Sequence, residues 1–299
     1  LRDALTPMVQ AGHEILNVSV GGVSNRDEEF KRAFAKKVDA MILIWRWPMD
    51  EDQYPRRSQA YERQLELIDL AIDHGIPVLI HDEDYKPGAI EAFELLKMNN
   101  VPVNLTAPAM FSPNHNFLPF PKPDGMLMTR VTKEFDFGYI GNNYERYEQM
   151  KKWFKYPPID FHSIHILGNW LSPSPNRESP EQVKADFPNI YFGSQVPQNM
   201  VIKQLAKYRF TCHFAKDEYC STGFITMRWL EAVMAGTVAF IPTEFKLPTW
   251  MKPAFQFPDP YELLNQEFYD HIRNKQAEAV AHIFNSGNWL AAINALVNQ

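Results

Sequence analysis

Short apolar runs and helical stretches alternate along this chain, the alternation breaks once, and it then begins again. DAMILIW (Asp39 to Trp45), IPVLI (Ile76 to Ile80) and VPVNL are continuous apolar runs of the kind found in strands buried on both faces. Between them stand SQAYERQLELIDLAIDHG, with its glycine stop, and AIEAFELLKMNN. Upstream, LRDALTPMVQAG reads as a helix, HEILNVSV as a strand, and DEEFKRAFAKK as a helix with an acidic first turn and a basic last turn. Strands separated by helices of about 10–15 residues require a doubly wound parallel sheet, so the fold class is α/β.

The break runs from about Ala107 to Thr129, a segment without clear periodicity that carries five of the 23 prolines and suits an interdomain connection. The alternation then resumes with EFDFGYIG as a strand, YERYEQMKKWFKY as a helix, IDFHSIHILG as a strand, then NIYFG, PQNMVIKQLAKY and FTCHFA. KDEYCSTG reads as a loop, FITMRWLEAVMAG as a helix that Ser221 or Thr222 can cap, and TVAFI as a buried strand. The expected architecture is two Rossmann-like lobes with a cleft between them: residues 1–128, residues 129–259, and a helical tail over 260–299 packing back across both. Because the chain opens directly on a helix, a first strand is expected to precede Leu1.

At 299 residues the chain exceeds what single cores of about 250–300 residues usually reach, which also suggests two domains. A formal net charge of −6 argues against a protein that coats nucleic acid non-specifically, although it leaves room for a local basic face. Two cysteines, Cys212 and Cys220, exclude a disulfide scaffold and suit a reducing cytoplasm. No apolar run approaches the roughly 20 residues of a membrane span, and the N-terminal segment reads as an amphipathic helix rather than a signal peptide.

In a parallel sheet, ligands bind at the carboxyl ends of the strands, where three loops of the second lobe fall. In YIGNNYERYE, Gly141 permits close backbone approach, Asn142 and Asn143 offer amides, and Arg146 lies in a first helical turn, where a cation is unfavourable unless an anion joins it. Its bland alternative is a solvated Arg146 paired with Glu145 or Glu148. ILGNW brings Gly168 to the end of a strand. On FITMRWLE, Arg228 and Glu231 share a helix face at i, i+3 among apolar neighbours. They are either an ordinary ion pair or ligands, the guanidinium for a pyrophosphate and the carboxylate for ribose hydroxyls.

In the first lobe, Asp82, Glu83 and Asp84 of HDEDY admit three readings: a D-x-D-like metal motif, a general base, or acids that solvate a loop. The loop WRWPMDEDQYPRR mixes Trp47 with Arg46, Arg56 and Arg57, a pattern able to contact phosphates and bases, diluted by Asp50, Glu51 and Asp52.

FDFGYIGNNYERYEQMKKWF, IHILGN, NIYFGSQVPQNMV and FITMRWLEAVMAGTVAFIPTEF together resemble the bacteriophage DNA β-glucosyltransferases, across roughly residues 135–246. Members of that family have the GT-B fold and transfer glucose from UDP-glucose onto hydroxymethylcytosine in duplex DNA. The resemblance implies that Arg228 binds the pyrophosphate and Glu231 the ribose, and that Asn142 stands where the family has a phosphate-contacting serine. It also implies a second phosphate arginine at Arg146, a residue near the phosphates at Tyr219, and a base pocket built from Gly168, Val196 and Pro197. Asp82 falls at the family's catalytic aspartate, a general base for an inverting displacement.

The expectation is therefore an inverting, UDP-sugar-dependent glycosyltransferase acting on hydroxylated or hydroxymethylated pyrimidines of phage duplex DNA in the host cytoplasm. Its donor is UDP-glucose or UDP-arabinose, and a divalent metal is compatible with the sequence but not required by it. The chain departs from the family in its acidic balance and in lacking the family's first strand and its acidic N-terminal loop residue. The rival readings are a GT-B enzyme with a small-molecule or polysaccharide acceptor, and a non-catalytic nucleotide-sugar-binding protein.

Overall fold

The computed structural model describes residues 8–15, 38–46, 55–120, 131–157, 159–173, 177–257, 260–285 and 287–298, the side chains of 55–59 excepted. Most of the expected strand HEILNVSV, the helix DEEFKRAFAKK and Trp47 lie outside the described residues. The chain divides into two compact units, Leu1–Asp124 with Asn285–Gln299, and Gly125–Phe284.

In the first unit, strands β1 (Met41–Ile44), β2 (Val78–His81), β3 (Val103–Ala107) and the two-residue β4 (Asn116–Phe117) form one parallel sheet in that order. Helices α1 (Pro55–His74) and α2 (Ala89–Met98) are the crossovers. Their apolar stripes, Leu67, Ile68 and Ala71 on α1 and Ala89, Ala92 and Leu96 on α2, pack with Val78 and Ile80 of β2. Leu79, between them in sequence, enters a separate cluster, as the two-residue period of a strand requires.

Two details differ from the sequence reading. Helix α1 begins at Pro55, so Arg56 and Arg57 lie in its first turn rather than in the preceding loop. Proline suits that position because the amide it lacks would have no helical partner. The segment after Ala107 is not wholly irregular: β4 pairs with β3, through Thr106↔Asn116 and Ala107↔Phe117.

The second unit carries β5 (Phe135–Ile140), α3 (Tyr147–Lys155), β6 (Ile164–Leu167), α4 (Pro180–Asp186), β7 (Tyr191–Gly193), α5 (Val201–Leu205) and β8 (Tyr208–Cys212). After these come α6 (Asp217–Thr222), α7 (Met227–Met234), β9 (Val238–Phe240) and α8 (Lys252–Phe255). The sheet is parallel, in the order β7-β6-β5-β8-β9. From central β5 the chain winds outward through β6 and β7, then crosses back and winds the other way through β8 and β9. The switch in direction lies between β5 and β8.

KDEYCSTG is not a loop but contains α6, with Asp217 and Glu218 in its first turn and Gly223 closing it at φ 62°, a left-handed conformation costly for other residues. Ser221 and Thr222 do not cap the next helix: both hydroxyls donate to the Glu218 carbonyl, at 2.9 and 2.7 Å. Thr226 occupies the cap position of α7 and its side chain makes no capping bond.

Helix α9 (Gln266–Ile283) belongs to the second unit. Its buried Gln276 is fully engaged: Oε1 accepts from the Ala239 amide at 2.9 Å, and Nε2 donates to the carbonyls of Ala239 and Ala254 at 2.8 and 2.7 Å. The half-buried Lys133 Nζ donates to the carbonyls of Ala206 and Ala235 at 3.0 and 3.1 Å, beyond the last turns of α5 and α7. Burial lowers its pKa to about 8.

The chain then returns. Helix α10 (Gly287–Val297) is part of the first unit, where Trp289, Ile293 and Leu296 form one cluster with Met8, Leu79 and Leu118. The Trp289 indole N–H donates to the Pro119 carbonyl at 2.8 Å, satisfying its only donor. The residues read as one helical tail thus divide between the two units. No helix among the described residues is long and apolar enough to cross a membrane.

Candidate functional site

At the switch between β5 and β8, outside the carboxyl ends of the strands, the second unit holds a cavity of about 330 Å³. Open parallel sheets place ligands at such a point. Gly141 and Asn142 follow β5, and His213 and Phe214 follow β8. Gln195, Val196 and Gln198 come from the segment beyond β7, and Thr226, Met227 and Arg228 from the start of α7.

Main chain packs against main chain at one wall. A Cβ on Gly168 would lie 2.2 Å from the Gly141 carbonyl oxygen, a contact no side chain tolerates. The Gly141 amide donates to Leu167 O at 2.9 Å, and the Trp170 indole to Gly141 O at 2.7 Å. Asn142 Oδ1 accepts from the Asn169 amide and from Gln195 Nε2, both at 3.2 Å, tying three loops together.

Arg146 is not paired with Glu145 or Glu148. Its Nε donates to Phe214 O and its Nη1 to Asn142 O, both at 3.1 Å, and among the described residues no carboxylate forms an ion pair with it. Two carbonyls orient the guanidinium while its charge stays uncompensated at the cavity wall.

Arg228 and Glu231 do pair across one turn of α7, Nη1 to Oε2, at 2.6 Å. The approach is close but misaligned: both atoms are buried, and neither makes a directed hydrogen bond. Gln198 Nε2 donates to the other carboxylate oxygen, Oε1. Burial raises the Glu231 pKa, with Arg228 and Gln198 pulling the other way.

His213 escaped the sequence reading. It is buried, lines the cavity, and packs edge-on against Trp229 and Phe245 with ring centroids 5.2 and 5.3 Å away. Burial, reinforced by the charges of Arg146 and Arg228, lowers its pKa to about 3, so the ring is neutral, and its Nε2 has no hydrogen-bond partner. A histidine ending an apolar strand, as in FTCHFA, is the signal that could have found it. Gln195 and Gln198 were also missed and carry no comparable signal.

Of the donor-site residues expected from sequence, Gly141, Asn142, Arg146, Val196 and Arg228 line the cavity. Gly168 backs its wall, Glu231 bonds to lining residues, and Pro197 begins the 3-10 turn that carries Gln198. Tyr219 does not line the cavity; it stacks on Phe224 with ring centroids 4.2 Å apart.

In the first unit, Asp82 follows β2 and is only 1% exposed. Its Oδ1 accepts from the amides of Asp84 and Lys86 at 3.2 and 2.9 Å, its Oδ2 from Lys86 at 3.1 Å, and His115 Nε2 stands 3.5 Å from Oδ2. His115 Nδ1 is 2.9 Å from Ser112 Oγ, in the segment the sequence showed as irregular. Glu83 pairs with Lys86 at 3.8 Å and with Arg46 at 3.9 Å, so Arg46, half-exposed, already has a carboxylate beside it. Among the described residues no three His, Cys, Asp or Glu side chains gather as metal ligands.

An α-glucosyltransferase solved with UDP-glucose and DNA containing an abasic site matches with a TM-score of 0.61 at 12% identity, over 100% of this chain and 94% of its own. The pneumococcal O-GlcNAc transferase GtfA, solved with UDP and GlcNAc, matches with a TM-score of 0.51 at 10% identity, over 90% of this chain and 58% of its own. T4 phage β-glucosyltransferase matches at 0.48 and 12% identity, over 87% and 99%. No family model matches the sequence, and neither does any curated protein sequence. The first two matches establish the GT-B fold that the resemblance implied.

Proposed function

We propose that this chain is a UDP-sugar-dependent glycosyltransferase whose second unit binds the donor nucleotide. The carrying observation is the Arg228–Glu231 pair: its facing atoms Nη1 and Oε2 are buried, 2.6 Å apart and misaligned, and Arg228 lines a cavity. Buried polar atoms are almost always satisfied, and an ordinary ion pair gains nothing from misalignment. A diphosphate on Arg228 and Arg146, with ribose hydroxyls on Glu231, would give each group the partner it lacks. Main-chain groups near Gly168 and Val196 would then face the base. Two solved proteins of this fold carry UDP-glucose, or UDP and GlcNAc, which supports a UDP-sugar as donor.

For the acceptor, the proposal is a hydroxylated or hydroxymethylated pyrimidine in duplex DNA. The resemblance over residues 135–246 supports it, as does the DNA in the α-glucosyltransferase structure. Arg46, Arg56, Arg57 and Trp47 are the proposed DNA contacts. Asp82 is the proposed general base, deprotonating the acceptor hydroxyl for an inverting displacement. A second reading, retention of configuration, is favoured by the burial of Asp82, both of whose oxygens are engaged, and by the α-specific name of the better-matching structure.

UDP release from a panel of UDP-sugars, with and without duplex DNA carrying modified pyrimidines, tests the proposal. Release that depends on modified DNA supports it and identifies the sugar; the anomeric coupling constant of the product then decides between inversion and retention. UDP binding without DNA-stimulated release would move the acceptor to a small molecule or polysaccharide, or make the chain a binding protein. No UDP binding at all would sink the donor-site assignment.

A further inference from the structure

His213 has no role in the reading so far, yet it lines the cavity. It is the first residue beyond β8, one of the two strands that flank the switch in winding direction. Its main-chain amide is spent on the Phe240 carbonyl at 2.8 Å, which fixes the backbone to neighbouring β9. Trp229 and Phe245 pack against its ring edge-on. A residue only 6% exposed, fixed in backbone and ring, keeps an Nε2 with no partner while lining the cavity.

We propose that His213 is a third ligand of the diphosphate, donating its Nε2–H to an oxygen held between Arg146 and Arg228. This rests on the donor-site reading above. An orphaned nitrogen in an apolar pocket costs free energy unless something binds it, and this one belongs to a residue that lines a cavity. Both guanidiniums are close enough to act electrostatically on the ring, and they favour an anion beside it. That anion in turn selects the tautomer with the proton on Nε2.

A neutral donor here has a chemical rationale. Two arginines already supply the positive charge, and a third cation would hold the product nucleotide diphosphate as firmly as the substrate. An imidazole N–H adds a directed bond to the leaving-group oxygen, on which charge grows as the glycosidic bond breaks. It does so without adding net charge. Burial beside two cations keeps the ring neutral through the physiological range.

Calorimetric titration of UDP and of uridine into the wild type, His213→Ala and His213→Gln tests this, with Arg228→Ala as the reference. His213→Ala should weaken UDP roughly tenfold to a hundredfold, the range for one hydrogen bond to a charged group, and leave uridine unchanged. His213→Gln, which returns an N–H at similar reach, should recover most of the loss. Equal loss of UDP and uridine in His213→Ala would mean a packing role beside Trp229 and overturn the proposal. So would undiminished UDP affinity; if Arg228→Ala had lost UDP, the donor-site reading would still stand. Absence of UDP binding to the wild type would overturn both. Should the variants fail to fold, the imidazole ¹⁵N shifts of the wild type give the same answer. Saturating UDP should move His213 Nε2 as a hydrogen-bonded donor, and an unmoved resonance overturns the assignment.

Discussion

The carboxyl ends of the two sheets hold their buried carboxylates differently. In the first unit, Asp82 is closed in: amides of its own turn and His115 surround both carboxylate oxygens, and neighbouring Glu83 has Lys86 and Arg46. In the second unit, His213 Nε2, Arg228 Nη1 and Glu231 Oε2 are buried without directed hydrogen bonds, beside a cavity. His81 Nε2 and His115 Nε2 of the first unit also lack directed hydrogen bonds, but the His81 ring packs against Phe120 and Trp289, centroids 5.1 and 4.9 Å away, and His115 Nε2 lies 3.5 Å from Asp82 Oδ2. The contrast shows that burial of a charge does not by itself mark a binding site. What sets the second unit apart is that His213 and Arg228 line a cavity.

The widest separation between the two edges should come from Asp82→Ala, which strips the Lys86 and Asp84 amides of their acceptor. Each buried amide so orphaned costs about 1–3 kcal/mol, so unfolding in urea should show a loss of roughly 2–5 kcal/mol with UDP affinity unchanged. A variant that lost UDP binding and kept its stability would reverse the comparison.

Arg228→Ala should behave in the opposite sense. UDP affinity should fall by about 2–4 kcal/mol by calorimetry, while the unfolding midpoint moves little. Unaltered affinity would leave the second edge without a ligand to explain it.

The buried histidines refine the picture by pH. Burial lowers the pKa of both His81 and His213 to about 3; Asp82 opposes that shift at His81, while His115 and Lys86 add to it, as Arg146 and Arg228 do at His213. The unfolded chain therefore binds more protons than the native one between about pH 6.5 and pH 3. Stability is complete above about pH 6.5 and falls as pH drops, by up to ~1.4 kcal/mol per pH unit for each ring. Glu231, its pKa raised by burial, contributes in the opposite direction. Replacing either histidine by glutamine should flatten the acid limb of urea midpoint against pH by one such slope.

The smallest effect should be at Lys152, whose side chain is 74% exposed and 3.5 Å from Glu244. Lys152→Ala should cost at most about 0.5 kcal/mol and leave UDP binding intact, which sets the noise floor for the other variants.

Much of this was legible in sequence. The apolar runs located the strands, and Gly141 and Gly168 do follow β5 and β6, because sheet topology fixes where strand ends lie. What failed was local. KDEYCSTG looks like a loop because Asp, Ser, Thr and Gly favour turns, yet Asp217 and Glu218 sit favourably in a first helical turn and Gly223 ends it. Ser221 and Thr222 seemed to cap the following helix but instead bond back within their own. Gln198 was invisible for a different reason, and His213 showed only as a histidine ending an apolar strand. Their significance lies in what the second unit's fold brings beside them, and no period or spacing encodes that.

The return of α10 to the first unit has a consequence for how the protein is made. Trp289, Ile293 and Leu296 complete a core beneath β2, yet a ribosome delivers them only after the whole second unit. Synthesis at about 5–20 residues per second therefore leaves the earlier-made sheet without α10 for several seconds or more, while residues 125–284 form a unit continuous in sequence. In order of birth the first unit comes first, but in order of completion it comes last, and a nascent chain stalled near Phe284 would hold the whole second unit while the first still lacked α10.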